Sequence, residues 1–267
     1  MTGNCIGFLG ISLAKPQDDG SGFTGKLNGD LLSSSDGNFR PVDLEFAPDG
    51  SLYFLDWYNP LIGHMQHNAR DPNRDHTHGR IYRITYPSRP LVPVVKVAGA
   101  SIAELLENLK LPEYRVRYRS RRELRQYPAA TVIPAVKKWA AALDPTDPSY
   151  EHHLCEALWA TWAQNQPDSD LLEQCLSAKK PEARAAAVEV IRNAFWKIPS
   201  ASKLLTKAAT DPHGRVRLQA IIAASWMDNV DGARVVLEAL KQPLDSWMGP
   251  VTKQILNFTL KDDIETL

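Results

Sequence analysis

The chain has 267 residues, and its 31 Lys and Arg balance 31 Asp and Glu, so the formal net charge is zero. A chain without a basic surplus lacks the long-range field that attracts nucleic acid. No apolar run approaches the roughly 18 to 20 residues that a membrane-spanning helix needs. We therefore predict neither a nucleic-acid partner nor a transmembrane segment, and the length favours two domains.

The cysteines Cys5, Cys155 and Cys175 are odd in number and far apart in sequence, which argues against a disulfide framework. The sequence contains no C-x-x-C-H motif, so we expect no haem to be attached within this chain. The apolar stretch 5–14 has no basic residue before it and is interrupted by two glycines. We therefore expect no signal peptide in this chain.

The first part of the chain predicts antiparallel strands. Residues 41–46 and 52–57 are strand-like, and Asp49-Gly50 between them is a tight-turn signal, so they predict a β-hairpin. A third strand, 80–86, ends at Pro87, whose missing N–H stops the hydrogen-bond ladder. Three such strands make most of one blade of a β-propeller, and we place this domain in residues 1–95.

The second part, residues 96–267, predicts short antiparallel helices, because apolar residues recur there at spacings of three and four. Residues 182–188 align with 215–221 at an offset of 33, and a weaker copy begins at Tyr150. Self-similarity at such a period indicates an α-solenoid. We expect about four helix pairs, with Ala187 and Ala220 buried at matching positions.

A polar loop of 22 residues, Tyr58 to Gly79, separates the second and third strands, where a hairpin usually needs 2 to 5 residues. Its imidazoles can ligate a metal or transfer protons, and its carboxylates can coligate a metal or fix an imidazole tautomer. The candidate catalytic or metal-ligating residues are His64, His67, His76 and His78. The candidate ligand-binding residues are Asp56, Asn59, Asp71, Asp75 and Arg80.

Three interpretations of this loop remain open. Runs such as Asp-Pro-Asn-Arg-Asp are good turn formers, so the loop can be structural and pack against a neighbouring propeller blade. It can instead hold a ligand or catalytic site. The third interpretation is a metal site.

Two further residue groups have an ordinary structural interpretation. Six arginines within residues 115–125 could bind phosphate or an acidic partner, but the acids between Asp144 and Glu173 can neutralise them, which favours a solvated face. The tryptophans of the second part fall at apolar helical positions and are predicted to pack in its core. These tryptophans are Trp139, Trp159, Trp162, Trp196, Trp226 and Trp247.

Several segments resemble one protein family. Residues 38–43 (Asn-Phe-Arg-Pro-Val-Asp), 56–64 (Asp-Trp-Tyr-Asn-Pro-Leu-Ile-Gly-His) and 70–81 (Arg-Asp-Pro-Asn-Arg-Asp-His-Thr-His-Gly-Arg-Ile) resemble the last part of the propeller in the membrane-bound dehydrogenases of planctomycetes and verrucomicrobia. Residues 118–124 and 150–159 resemble the start of the HEAT-like repeats that follow it. The resemblance covers nearly the whole chain. It implies an α+β multidomain protein, with a partial β-propeller followed by an α-solenoid of HEAT-like helical repeats.

The resemblance also implies a function. The chain would be an internal fragment, inactive alone, of a periplasmic or cell-envelope enzyme that oxidises a sugar or other alcohol. The parent would use a quinone of the PQQ type and haem c in a C-terminal cytochrome domain, with no cofactor within this chain. One loop histidine would be the general base. The alternative is a non-catalytic scaffold whose solenoid presents its concave face to a protein or glycan.

Overall fold

The computed structural model describes residues 1–4, 7–62, 70–227 and 229–267. The chain divides into two compact units. The first consists of Met1–Gln17 and Thr24–Val95, and the second of Asp18–Phe23 and Lys96–Leu267. No helix in the described part of the chain is both long and apolar enough to span a membrane.

The described strands form two three-stranded antiparallel sheets, with the orders β1-β2-β3 and β4-β5-β6. The strands are β1 (Thr2–Asn4), β2 (Gly10–Asp19), β3 (Gly22–Ser33), β4 (Pro41–Phe46), β5 (Leu52–Asp56) and β6 (Arg80–Ile84). The last three confirm the predicted hairpin and the strand that follows the loop. The polar pattern of residues 10–33 does not predict β2 and β3, whose side chains are mostly exposed.

The sheet β4-β5-β6 buries one face and exposes the other. Along β5 the residues alternate between buried and exposed. Phe54 lies in a small core with Phe39 and Ile11, and its ring stacks on Tyr82 with centroids 4.9 Å apart. This packing fixes β5 and β6 at the two ends of the long loop.

The second unit is helical apart from the tip of the β2–β3 hairpin. Its helices are α1 (Ile102–Asn108), α2 (Tyr114–Leu124), α3 (Ala129–Ala141), α4 (Tyr150–Ala163), α5 (Ser169–Leu176), α6 (Pro181–Ala194), α7 (Ala201–Ala209), α8 (Gly214–Ser225), α9 (Val230–Ala239), α10 (Met248–Gln254) and α11 (Lys261–Glu265). A 3₁₀ turn at Phe195–Lys197 follows α6, and a π-helical segment at Ile255–Thr259 follows α10.

The helices pack as consecutive pairs. Each even-numbered helix from α2 to α8 contacts the helix before it, and α2, α4, α6 and α8 contact one another in order. We call these four helices the even layer. Ala187 lies six residues after the start of α6 and Ala220 six residues after the start of α8, and both are fully buried, as predicted.

A recurrent arginine closes the turn before three helices of the even layer. In each case Nη1 donates to the carbonyls five and six residues earlier in the chain. Arg117 bonds to Leu111 and Pro112 (both 2.7 Å), Arg184 to Ala178 and Lys179 (2.9 and 2.8 Å), and Arg217 to Asp211 and Pro212 (2.9 and 3.2 Å). The shared geometry shows that these turns are equivalent parts of repeats.

The tip of the β2–β3 hairpin is bound within the second unit. Asp245 accepts hydrogen bonds from the backbone N–H of Ser21 (2.6 Å) and from its hydroxyl (2.8 Å). Trp247 donates its indole N–H to Asp19 at 3.0 Å, and Arg215 donates to Asp18 at 2.5 Å. The solenoid therefore holds an acidic turn through an arginine and a tryptophan.

The prediction that all six tryptophans lie in the core is wrong. Trp139 is buried, whereas Trp196, Trp226 and Trp247 are 64%, 56% and 42% exposed. Trp196 lies in the 3₁₀ turn, and Trp226 and Trp247 flank helix ends. At such positions helical periodicity no longer decides which face a residue occupies.

Candidate functional site

Asp56, at the end of β5, anchors the start of the long loop. Its carboxylate is buried and accepts hydrogen bonds from the backbone N–H groups of Arg40 (2.7 Å) and Tyr58 (2.9 Å) and from Nε of Arg80 (2.6 Å). Arg80 also donates to Asp36 at 2.9 Å and lies 3.9 Å from the ring centroid of Tyr58. The predicted pair Asp56 and Arg80 thus comes together as a structural clamp.

Asn59 and Asp75 connect the two sides of the loop. Asn59 is buried and donates its side-chain amide to the carbonyl oxygen of Asp75 at 3.1 Å, while its own oxygen accepts from the N–H of Leu61. The carboxylate of Asp75 accepts from the backbone N–H groups of Thr77 (2.8 Å) and His78 (3.0 Å). These bonds hold the last third of the loop in a defined turn.

The contact between His78 and Asp75 has the geometry of an acid–base pair. Nδ1 of His78 lies 2.6 Å from Oδ2 of Asp75, and the imidazole is 67% exposed. The backbone N–H of Thr77, and then His78, hold the pKa of Asp75 well below its usual range. An ionised carboxylate on Nδ1 fixes the ring and leaves Nε2 available to accept a proton.

Of the remaining loop candidates, the described ones, Asp71 and His76, do not join this pair. Asp71 accepts from the backbone N–H of Asn73 at 2.9 Å, which is a local turn contact, and His76 is exposed. His64 and His67 lie outside the described residues. In the described part of the chain no three His, Cys, Asp or Glu side chains come together as a metal site. The metal interpretation therefore stays a prediction.

A second candidate site lies on the even layer of the second unit. A cavity of 720 Å³ opens between α2, α4 and α6. Its walls include Arg121 and Arg122 of α2, Arg125 directly after α2 and two half-buried tryptophans of α4, with Tyr118 and Glu189 beside them. We call it the Arg–Trp groove; its arginines are Arg121, Arg122 and Arg125, and its tryptophans are Trp159 and Trp162.

A buried carboxylate orients one arginine of the groove. Glu156 on α4 is 1% exposed and accepts from Nε of Arg117 at 3.0 Å and from Arg121. Burial alone would raise the pKa of Glu156, but His152 and Arg121 beside it outweigh burial and lower it. Held in this way, the Arg121 guanidinium lies 5.3 Å from the ring centroid of Trp159.

The structure confirms part of the interpretation of the arginine run: Glu156, one of the acids between Asp144 and Glu173, pairs with Arg117 and Arg121, and Arg119, Arg122 and Arg125 are exposed. Tyr118, Arg121, Arg122 and Arg125 follow the spacing i, i+3, i+4, i+7, so they share one face of α2. This helical spacing is the one feature of the sequence that could have indicated a site here. The tryptophans opposite come from a helix more than 30 residues further along the chain, and only the fold brings them there.

The paired helices, the 33-residue offset between the starts of α6 and α8 and the recurrent arginine define the second unit as an α-solenoid of helical repeats. Residues 169–248, from α5 into α10, match a family model of HEAT repeats, so the unit contains HEAT repeats. Residues 11–88 match a domain of unknown function, DUF7133. Each match covers less than a third of the chain, and no curated protein matches it.

Proposed function

We propose that this chain is a scaffold that binds a partner protein through the even layer of its HEAT repeats. The observation that carries the proposal is an accessible alternation of arginine and tryptophan along this layer. Arg121 of α2 lies over the ring of Trp159 of α4. Further along the layer, Arg192 of α6 lies 5.5 Å from the ring centroid of Trp226, at the end of α8.

The composition of this surface supports binding rather than solvation alone. Trp226 is 56% exposed, and leaving an indole in water costs free energy that a partner recovers by covering it. Tryptophan, tyrosine and arginine are the residues that most often dominate binding energy at protein interfaces. A stack of helical repeats supplies an extended face on which such residues can line up.

Site-directed photo-crosslinking tests the scaffold function. A photoreactive amino acid at position 226 should crosslink a partner in the native host, because this position lies on the proposed interface. The same amino acid at Lys203, which is exposed on α7, is the control and should give no such product. Equal crosslinking at both positions, or none at 226, would contradict the proposal.

A second candidate function, oxidation of a sugar or other alcohol in the periplasm, is favoured by the His78–Asp75 pair. Nε2 of His78 would accept the proton of the substrate hydroxyl while Asp75 stabilises the imidazolium, and the hydride would pass to a quinone held by other parts of the parent protein. One face of the sheet β4-β5-β6 is apolar and exposed, and on it Leu55 pairs with Ile81. Such a face favours the interpretation of the sheet as a propeller blade that a neighbouring blade covers in the parent protein.

The described residues Asp56, Asn59 and Arg80, at the two ends of the loop, do not fit a quinone site. Binding a quinone requires polar groups with unfilled hydrogen bonds, and the side chains of Asp56, Asn59 and Arg80 are already hydrogen-bonded within the protein. This sequence contains no C-x-x-C-H motif to which haem c could be attached. The oxidation proposal is therefore limited here to proton transfer at His78.

Dye-coupled oxidation of a panel of sugars and alcohols, with protein isolated from its native host, tests this second function. His78→Ala should abolish turnover, whereas Arg89→Ala, at an exposed position after β6, should not. Turnover that survives His78→Ala with an unchanged pH profile would exclude His78 as the base.

A further inference from the structure

We propose that the Arg–Trp groove binds an acidic peptide segment of the partner protein. This inference rests on the proposed scaffold function and names the chemistry of what the scaffold binds. Two observations support it. Two arginines of the groove have no acidic partner in the described part of the chain, and elsewhere in the same unit an arginine and a tryptophan bind an acidic turn.

Two arginines of the groove have no acidic partner in the described part of the chain. Arg122 and Arg125 are exposed and one helical turn apart, and the guanidinium of Arg122 lies 5.8 Å from the ring centroid of Tyr118. Arg121 differs, because Glu156 already binds it. The groove therefore offers two guanidinium groups that can each take a carboxylate in two-point geometry.

The groove also has the dimensions and the apolar surface for a peptide. A volume of 720 Å³ accommodates a few residues of extended chain. Trp162 and Ala163 provide apolar surface beside the arginines, so an apolar side chain next to an acidic one would find a place. Among the described residues that line the groove, Glu189 is the only carboxylate, and Arg122 and Arg125 outweigh it.

The second unit already binds an acidic turn by the same chemistry. Arg215 donates to Asp18 at 2.5 Å and lies 4.0 Å from the ring centroid of Phe23, and Trp247 donates its indole N–H to Asp19. This internal contact shows that arginine and tryptophan on these repeats hold carboxylates together with an aromatic side chain. The groove presents the same pair of residue types in a larger opening.

The observations favour a peptide over the other anionic polymers. The formal net charge of zero provides no wider basic surface for nucleic acid. A glycan would stack on an indole face, and Arg121 already lies over the ring of Trp159, whereas the guanidinium groups of Arg122 and Arg125 favour carboxylates. An acidic peptide needs the guanidinium groups and the edge of the apolar surface, both of which are accessible.

Fluorescence polarisation with the full chain tests the inference. The probes are fluorescein-labelled hexaglutamate and a labelled hexapeptide in which glutamate alternates with leucine. We expect both to bind at low ionic strength, the alternating peptide more tightly, and binding to weaken as salt is added. The double variant Arg122→Glu/Arg125→Glu should weaken binding at least tenfold, and Arg122→Gln/Arg125→Gln should also weaken it without reversing the charge.

The matched control is Arg119→Glu/Lys138→Glu, which changes the net charge equally at exposed positions that do not line the groove. It should alter the affinity less than twofold. Circular dichroism melting should show that all variants remain folded.

Two outcomes would overturn the inference: neither peptide binds, or the control weakens binding as much as the groove variant. If the peptides fail while a heparin-derived octasaccharide binds the groove, the groove is a glycan site. If the peptides fail but crosslinking at position 226 persists, the acidic segment is wrong and the scaffold function stands. If no crosslinked product forms at position 226 in the native host, the proposed scaffold function is wrong as well.

Discussion

Arg184 and Asp211 form a two-point ion pair between consecutive repeats, with Nε to Oδ2 at 2.7 Å and Nη2 to Oδ1 at 2.8 Å. The same guanidinium donates to the carbonyls of Ala178 and Lys179, so one side chain joins the turn before α6 to the turn before α8. Burial would raise the pKa of Asp211, but the bonds from Arg184 outweigh burial and hold it below its usual value.

Removal of this pair should destabilise the solenoid. Arg184→Ala leaves the half-buried carboxylate of Asp211 and two carbonyls without their donor, so we expect the free energy of unfolding to fall by about 3 kcal/mol. The control is Arg234→Ala, whose pair with Asp231 is exposed and should contribute less than about 1 kcal/mol. Urea denaturation of the full chain measures both, and equal losses would contradict the role of the pair.

The same pair predicts a pH dependence. Because the pKa of Asp211 is lower in the folded than in the unfolded protein, its stabilising contribution is complete above the ordinary aspartate pKa of 3.8. It is lost as the pH falls from that value through the folded pKa. The difference in stability between the wild type and Arg184→Ala should therefore be constant near neutral pH and shrink below about pH 4. A difference that grows on acidification would refute this assignment.

Ala220 should not accept a larger side chain. It is fully buried between helices of adjacent repeats, so Ala220→Leu would overpack the contact and cost about 1 to 3 kcal/mol. Ala141→Leu makes the same change at an exposed position at the end of α3 and should be nearly neutral. Equal melting temperatures for the two variants would show that the α6 and α8 contact is not tightly packed.

Gly22 should be required for the bound hairpin tip. A Cβ at this position would lie 2.6 Å from the ring of Trp247, whereas a Cβ at Gly25 would meet nothing within 4 Å. Gly22→Ala should therefore release the tip. The backbone N–H of Ser21 donates a hydrogen bond to Asp245 in the wild type, and its hydrogen exchange should become faster in the variant. Gly25→Ala should leave this exchange rate unchanged. Equal exchange in both variants would show that the close approach to Trp247 does not hold the tip.

The two described cysteines should be inert in the folded protein. Cys155 and Cys175 are both buried, and a hydrogen bond with Cys155, together with burial, raises the pKa of the Cys175 thiol. Since the thiolate is the reactive form, iodoacetamide at pH 8 should modify neither residue natively and both in urea. Peptide mass spectrometry measures the modification at each site, and native labelling of Cys175 would contradict its burial.

Local patterns in the sequence determined the elements whose partners are close in the chain. The strand patterns around Asp49-Gly50 predicted β4 and β5, and Gly50 adopts the positive φ of 80° that such a turn needs. The offset of 33 predicted the equivalence of Ala187 and Ala220, because equivalent positions of neighbouring repeats pack in the same way, and both alanines are fully buried. Both inferences need only the period of the pattern.

The tertiary structure alone decided which polar and aromatic side chains meet. The strands β2 and β3 pair although most of their residues face water, so no hydrophobic alternation marks them. Arg122 and Trp162 line one groove because α2 and α4 pack side by side, and the sequence separates them by a whole helix. The periodicity of a sequence predicts which face of a helix or strand is apolar. A binding site depends in addition on which helices and strands pack against one another, and the periodicity does not specify this.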